Sequence, residues 1–312
     1  DKILIPLTPC RSPIAQRALP HRRRCMQRGA LMMMLSALAF SVMTVLVKLA
    51  GERLPSQELV VARAIVSLVL SWSLLRRAGV SPWGRDKRWL WIRGALGFAG
   101  LSCVYGAVTH LPLAEATILQ YLYPAITALL AGVFLGEAIS RRIIAATAAS
   151  LAGVLLVARP TLLFGGVAPP LDPFWVGIAM SGAACSAAAY VVVRKLSQSG
   201  ENPLVIVFYF PLVTIPLALP TMLPNFVWPE GTEWLLLLGI GVATQIGQVS
   251  LTRGLAVLPA AQGTALSYLQ VALAIIWGAV VFGEIPDALA LAGGALIVGS
   301  AFWLARSKPA AS

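Results

Sequence analysis

Acidic side chains are scarce in this chain: 12 Asp and Glu stand against 24 Lys and Arg in 312 residues, and charged residues make up only 12%. A soluble domain carries about twice that share. Histidine is scarcer still, at 2, and the 4 cysteines (Cys10, Cys25, Cys103, Cys185) show no Cys-x-x-Cys spacing. That leaves no ligand set for a structural metal, and the cysteines are expected to be free thiols or small apolar fillers. Nor does the chain contain a His-Glu-x-x-His, Gly-x-Ser-x-Gly or P-loop motif, or an aspartate-rich diphosphate site. No cofactor and no nucleotide-driven chemistry are therefore expected. A membrane-embedded enzyme would need clustered acids or histidines, and the few acids here are scattered mainly in loops.

What is abundant is apolar. Hydrophobic residues reach 58% and mean hydropathy +0.83, gathered in long uncharged blocks, as membrane spans require. A window of about 19 residues gives 10 spans: Ala30–Leu49, Glu58–Leu75, Leu90–Thr109, Ala116–Leu135, Ile143–Ala158, Phe174–Val193, Leu204–Met222, Trp234–Leu251, Gly263–Phe282 and Ala288–Leu304. The fold class expected is an all-α polytopic membrane protein with the lipid bilayer as its solvent. The basic leader, residues 1–29, contains Met26, a candidate translation start. A cleaved signal peptide is the alternative, although the first span has full crossing length.

The cations sort by loop. With the N-terminus inside, the inner loops hold the leader arginines, Arg76, Arg77, Arg85, Lys87, Arg88, Arg141, Arg142, Arg194, Lys195, Arg253, Arg306 and Lys308. The outer loops keep Lys48, Arg53 and Arg159 beside Glu52, Asp172, Glu230, Glu233 and Asp287. This bias places both termini in the cytoplasm. It also explains the net charge of +12 without a nucleic-acid partner.

Leu111–Glu137 reads LPLAEATILQYLYPAITALLAGVFLGE, and Leu258–Glu284 reads LPAAQGTALSYLQVALAIIWGAVVFGE. Aligned without a gap, they share the opening Leu-Pro, Thr117/Thr264, Tyr121/Tyr268, Leu122/Leu269 and the closing Gly-Glu. An odd number of spans per half inserts the second half upside down. The flanking charge agrees, because Arg85-Asp86-Lys87-Arg88 corresponds to a loop carrying Glu230 and Glu233. Related sequence with opposed flanking charge reads as an inverted-topology repeat, a construction used by secondary transporters. The expected division is a first repeat at 30–158, an outer linker at 159–173, a second repeat at 174–304 and a cytoplasmic tail at 305–312.

That doubled pattern with its Leu-Gly-Glu or Phe-Gly-Glu ending resembles the EamA-like branch of the drug/metabolite transporter superfamily, over about Leu31 to Leu304. The resemblance implies secondary transport of a small organic metabolite, most often efflux of amino-acid-like compounds, with uptake as the alternative. It also implies a central cavity lined by the first four helices of each half, with the fifth peripheral. The family commonly has proline in both fourth helices. Here Pro124 faces Val271 in the alignment, so a one-sided kink is expected.

Buried polar groups are costly in lipid, so their positions carry information. Thr117, Gln120, Tyr121 and Pro124 share one helical face in the fourth span, as Thr264, Ser267 and Tyr268 do in the ninth. Gly241, Thr244, Gln245, Gln248 and Thr252 form a stripe on the eighth; the third span has Phe98 and Leu101 where the eighth has Gln245 and Gln248. The expectation is a cavity with one apolar and one amide-rich wall, the alternative being glutamines that only bond helix to helix. Arg63 lies inside the second span, with Tyr209 as its approximate counterpart. It either snorkels to the headgroups or serves the outer pathway, paired with Glu115, joined by Lys48, or anchoring a substrate carboxylate. Glu137 and Glu284 read as packing anchors at the lipid boundary, with proton carriage as the alternative. Ala149-x-x-x-Gly153 and Ala295-x-x-x-Gly299 could mark a homodimer face.

Overall fold

A segment crossing hydrocarbon must satisfy its own backbone, which leaves helices as the solution for long apolar runs. The computed structural model describes residues 19–160, 163 and 171–306. The leader up to residue 18, most of the expected linker 159–173 and the tail beyond residue 306 lie outside the described residues. Among the described residues every regular element is helical, and 10 helices are long and apolar enough to cross a membrane. The chain is an all-α, multi-pass integral membrane protein made of two inverted five-span repeats.

The first repeat comprises α1 (Leu19–Ala50), α2 (Ser56–Arg77), α3 (Lys87–His110), a fourth span divided into α4 (Leu113–Gln120) and α5 (Tyr123–Leu135), and α6 (Arg141–Ala158). The second comprises α7 (Pro173–Gln198), α8 (Pro203–Met222), α9 (Glu233–Val257), a ninth span divided into α10 (Ala260–Leu266) and α11 (Leu269–Phe282), and α12 (Ala288–Ala305). Helix α1 begins upstream of the expected Ala30.

The shared Gly-Glu ending has a backbone cause. Gly136 (φ 63°) and Gly283 (φ 68°) stop α5 and α11 in the left-handed region, where only glycine escapes a Cβ penalty. The following N–H groups of Glu137 and Glu284 reach back to the carbonyls of Ala131 (3.3 Å) and Gly278 (3.0 Å), a Schellman closure. Each turn delivers a carboxylate to the end of its span.

The repeats interlock. Helix α1 packs on α9, and α3 packs on α7; α2 lies on α8, α6 on α12, α5 on α10. The first two contacts are mates under exchange of the halves, and the α2–α8 and α6–α12 contacts map onto themselves, as an axis in the membrane plane demands. Small residues permit the close approaches. A Cβ on Gly94 would collide with Val213, and one on its counterpart Gly241 would collide with Val66. Val66 and Val213 correspond by the same spacing that pairs Leu111 with Leu258. By that spacing the counterpart of Arg63 is Phe210, which corrects the approximate pairing with Tyr209. Gly153 is used in the same way, against Ile297 and the Gly293 carbonyl, beside a Ser150–Ser300 hydroxyl contact of 2.6 Å. Its small-residue pattern therefore serves the crossing of α6 and α12 inside one chain.

Two expectations are corrected. The break in the fourth span is not one-sided, because the ninth span is broken at the matching position. In the fourth, Pro124 lacks the N–H that the Gln120 carbonyl would receive. In the ninth no proline is needed: a tight turn of i−3 bonds, Ser267 to Thr264 (3.0 Å) and Val271 to Tyr268 (2.9 Å), separates α10 from α11, a 3₁₀-like interruption. The Tyr268 hydroxyl donates to the Tyr121 carbonyl at 2.9 Å, so the two breaks are tied together at the centre of the molecule. The second correction concerns cysteine: Cys103 and Cys185 are free, but Cys25 is disulfide-bonded.

Candidate functional site: a central cavity with one shut face

A cavity of about 1100 Å³ lies between the repeats. Its first-repeat wall is formed by Arg63, Arg93, Leu101, Gln120, Tyr121 and Tyr123, and its second-repeat wall by Tyr190, Phe210, Gln248 and Gln270. The lining continues to one membrane face, where Arg159, Glu284, Ile285 and Asp287 form the rim. None of its described lining residues belongs to the loops of the opposite face.

Of the residues singled out from sequence, Arg63, Gln120, Tyr121 and Gln248 line the cavity. Gln245 does not: it is buried, and its amide donates to the Ser71 hydroxyl at 2.8 Å, bridging α9 to α2. Phe98 packs in an apolar cluster with Val60, Val61 and Ala218. Tyr209 is buried with its hydroxyl on the Trp83 carbonyl at 3.0 Å, and Tyr268 is spent on the junction of the two breaks. Pro124 opens α5 without lining the cavity. Glu115 is buried, and among the described residues Arg63 forms no ion pair with it. The Arg63 guanidinium instead meets the Met43 sulfur at 3.6 Å. Lys48 pairs with Glu284 at 2.9 Å and sits 3.8 Å over the Phe282 ring.

Sequence reasoning passed over Arg93. It is 2% exposed, donates to Gln248 Oε1 at 3.1 Å and lies 4.9 Å over the Phe210 ring. The signal was available: an arginine inside a span, with no acid in the same helix. Because Arg93 occupies the first-repeat wall, that wall is cationic rather than apolar.

The opposite face is shut by a mostly buried pair. Glu137 accepts from Arg194 Nε at 2.7 Å and from the Ala260 backbone N–H at the start of α10, also at 2.7 Å. Arg194 further donates to the carbonyls of Leu255 (2.9 Å) and Ala256 (3.1 Å) at the end of α9. One carboxylate and one guanidinium thus tie α5, α7, α9 and α10 together, with the pair's side chains only 13% and 11% exposed.

A cavity between two inverted repeats, with arginines, amides and tyrosines set in a mostly apolar lining, reaching one face and shut at the other, is the architecture of a membrane transporter. The chain belongs to the EamA-like transporter family, whose model matches residues 27–159 and 173–306. It is 34% identical, over 91% of its length and 98% of the relative's, to the pseudopaline exporter CntI of Pseudomonas aeruginosa (strain UCBPP-PA14). It is 26% identical to a riboflavin transporter of Vibrio cholerae, over 87% of this chain and 90% of that one. A solved crystal structure shares the fold at TM-score 0.77 and 21% identity, over 88% of this chain and 95% of the other.

Proposed function

We propose that this protein is a secondary active exporter, moving a small amphipathic organic anion or zwitterion across the bacterial inner membrane by alternating access. The observation that carries this reading is the cavity itself. It is large enough for a drug-sized metabolite, it holds arginines, amides and tyrosine rings, and the Glu137–Arg194 pair blocks its second exit. The excess of Lys and Arg in the loops on the Glu137 side supports a cytoplasmic position for that side, with both termini cytoplasmic and the cavity facing outward. The 34% identity to a protein named as an exporter favours export. Uptake by the same fold is the second reading, since the relatives named as riboflavin transporters carry no direction in their names. With no nucleotide motif in the sequence, an ion or substrate gradient supplies the driving force.

Topology and direction are tested together. Single cysteines at Lys87 and Glu230 should react with an impermeant thiol reagent from opposite sides of the membrane. Cells overproducing the protein should survive an external load of its substrate better than controls, whereas an importer would sensitise them. Labelling of both cysteines from one side refutes the orientation, and sensitisation refutes export.

A further inference from the structure

Two arginines line the cavity, and among the described residues no carboxylate pairs with either. Arg63 is 8% exposed and Arg93 2%, and both line the space between the repeats. The carboxylates that line it, Glu284 and Asp287, sit at the rim and each already has a cation, Lys48 and Arg159 respectively. Among the described residues neither Arg63 nor Arg93 forms an ion pair. The groups that touch them are neutral: an amide oxygen and an aromatic face for Arg93, a thioether for Arg63. These orient the guanidiniums but do not neutralise them, and Arg93 Nε has no hydrogen-bond partner. Desolvating an uncompensated charge is expensive, and arginine stays charged under such conditions.

Nor is this a by-product of the repeat. The counterparts of Arg63 and Arg93 are Phe210 and Ile240, so the second half carries no equivalent charges. Both cations therefore lie on the first-repeat side, faced by Gln248 and Gln270 from the other. The cavity volume of about 1100 Å³ is far larger than an inorganic anion needs.

We infer that Arg63 and Arg93 form a two-point recognition site for an organic substrate bearing two separate carboxylates, one for each guanidinium. This rests on the transport reading and narrows its substrate class from zwitterion or anion to organic dianion. A monoanion would leave one buried guanidinium uncompensated. A dianion neutralises both, while Gln248, Gln270 and the ring faces of Tyr121 and Tyr123 hold the part between.

The test uses the full-length protein, purified, with unbranched α,ω-dicarboxylates of graded length as probes, each beside its monoamide. Thermal stabilisation should be strongest for a diacid of one particular length. Its half-maximal concentration should rise at least about tenfold for the monoamide and in Arg63→Gln or Arg93→Gln, one lost charge-assisted contact each. Lys at either position should rescue in part, lacking the bidentate fork. A second measurement needs no ligand: Arg93→Met should melt no lower than wild type when empty, because an uncompensated charge is removed. A structural arginine would give a clear drop. Equal stabilisation by diacids and monoamides, or none by any of the series, overturns the inference. A destabilised empty Arg93→Met also overturns it. The transport reading fails separately, through the cysteine-labelling and survival measurements above.

Discussion

Glu137 and Glu284 hold the same position in the two repeats, follow the same left-handed glycine, and are each met by a cation from the opposite half. Their surroundings differ. The Glu137–Arg194 pair is 11% and 13% exposed and is bonded to two further helix ends. The Glu284–Lys48 pair is 62% and 55% exposed. The same position thus carries a mostly buried pair in one repeat and an exposed pair in the other. Under the alternating access proposed above, exchange of the halves predicts the other state. Glu284 would accept from the Leu113 N–H, the counterpart of Ala260, and Lys48 would reach the carbonyls of Val108 and Thr109, the counterparts of Leu255 and Ala256. The reading of both glutamates as lipid-boundary anchors misses this coupling across repeats.

The largest effect is expected at the closed clasp. Glu137→Gln leaves a buried guanidinium without its carboxylate, and breaking such a pair costs about 3–5 kcal/mol. The melting temperature in detergent should fall by roughly 5–10 °C, and a cysteine at Gln120 should become reactive from the cytoplasmic side. An unchanged melting temperature would show that the pair does not hold the face shut.

The matching change at the open clasp should divide stability from rate. Glu284→Gln removes an exposed pair worth about 0–1 kcal/mol, so melting should barely move. Turnover should nevertheless fall at least about tenfold, equivalent to about 1.4 kcal/mol at the barrier, if this face closes through that carboxylate. Identical behaviour of the two glutamine variants in both measurements would break the comparison.

Much of this was legible in the sequence, and the limits have physical causes. The spans and the inversion follow from apolar run length and loop charge, both local properties. Gln120 and Tyr121 follow from helical phase. Gln245 and Gln248 share a face of α9, yet one bridges to Ser71 and the other meets Arg93. Helical phase identifies a stripe; only the crossing of α2 over α9 at Gly241 and Val66 decides which end is covered. The paired breaks were hidden because proline marks one and nothing but backbone geometry marks the other. The clasps were hidden because each joins residues from opposite repeats.

A smaller contrast concerns the caps of the fifth span of each repeat. Ser140 and Asp287 are counterparts, and each accepts from the backbone N–H three residues on, at Ile143 and Ala290. Only the aspartate titrates. The Ala290 N–H, with the Arg159 guanidinium second, holds the Asp287 carboxyl below its ordinary value. Its contribution is therefore complete above the ordinary carboxyl range of about pH 4 and is lost as pH falls through the lower folded value. Any melting difference between wild type and Asp287→Ser should persist from neutral pH to about pH 5 and vanish on further acidification. The same series on Ser140→Ala should be flat. A pH-dependent Ser140→Ala or a flat Asp287→Ser would remove the contrast.

The smallest effect is expected at Pro124, although proline is the most conspicuous asymmetry between the repeats. Proline is well tolerated at the start of a helix, and Pro124 stands in the first turn of α5. The ninth span breaks at the same position with Val271 there instead. Its break is held by i−3 bonds and by Tyr268, whose hydroxyl donates to the Tyr121 carbonyl and whose ring stacks at 5.9 Å on that of Tyr121. If the junction of the two tyrosines imposes both breaks, Pro124→Ala should change stability by less than about 1 kcal/mol and leave transport intact, since only a weak local preference is removed. Tyr268→Phe, which keeps the stack and deletes one hydrogen bond, should cost about 1 kcal/mol and loosen both breaks together. Backbone hydrogen exchange at Leu122 and Leu269 would report the two sites in one experiment. A silent Tyr268→Phe beside a straightened, inactive Pro124→Ala would return the cause of the break to proline and leave the ninth span to a mechanism of its own.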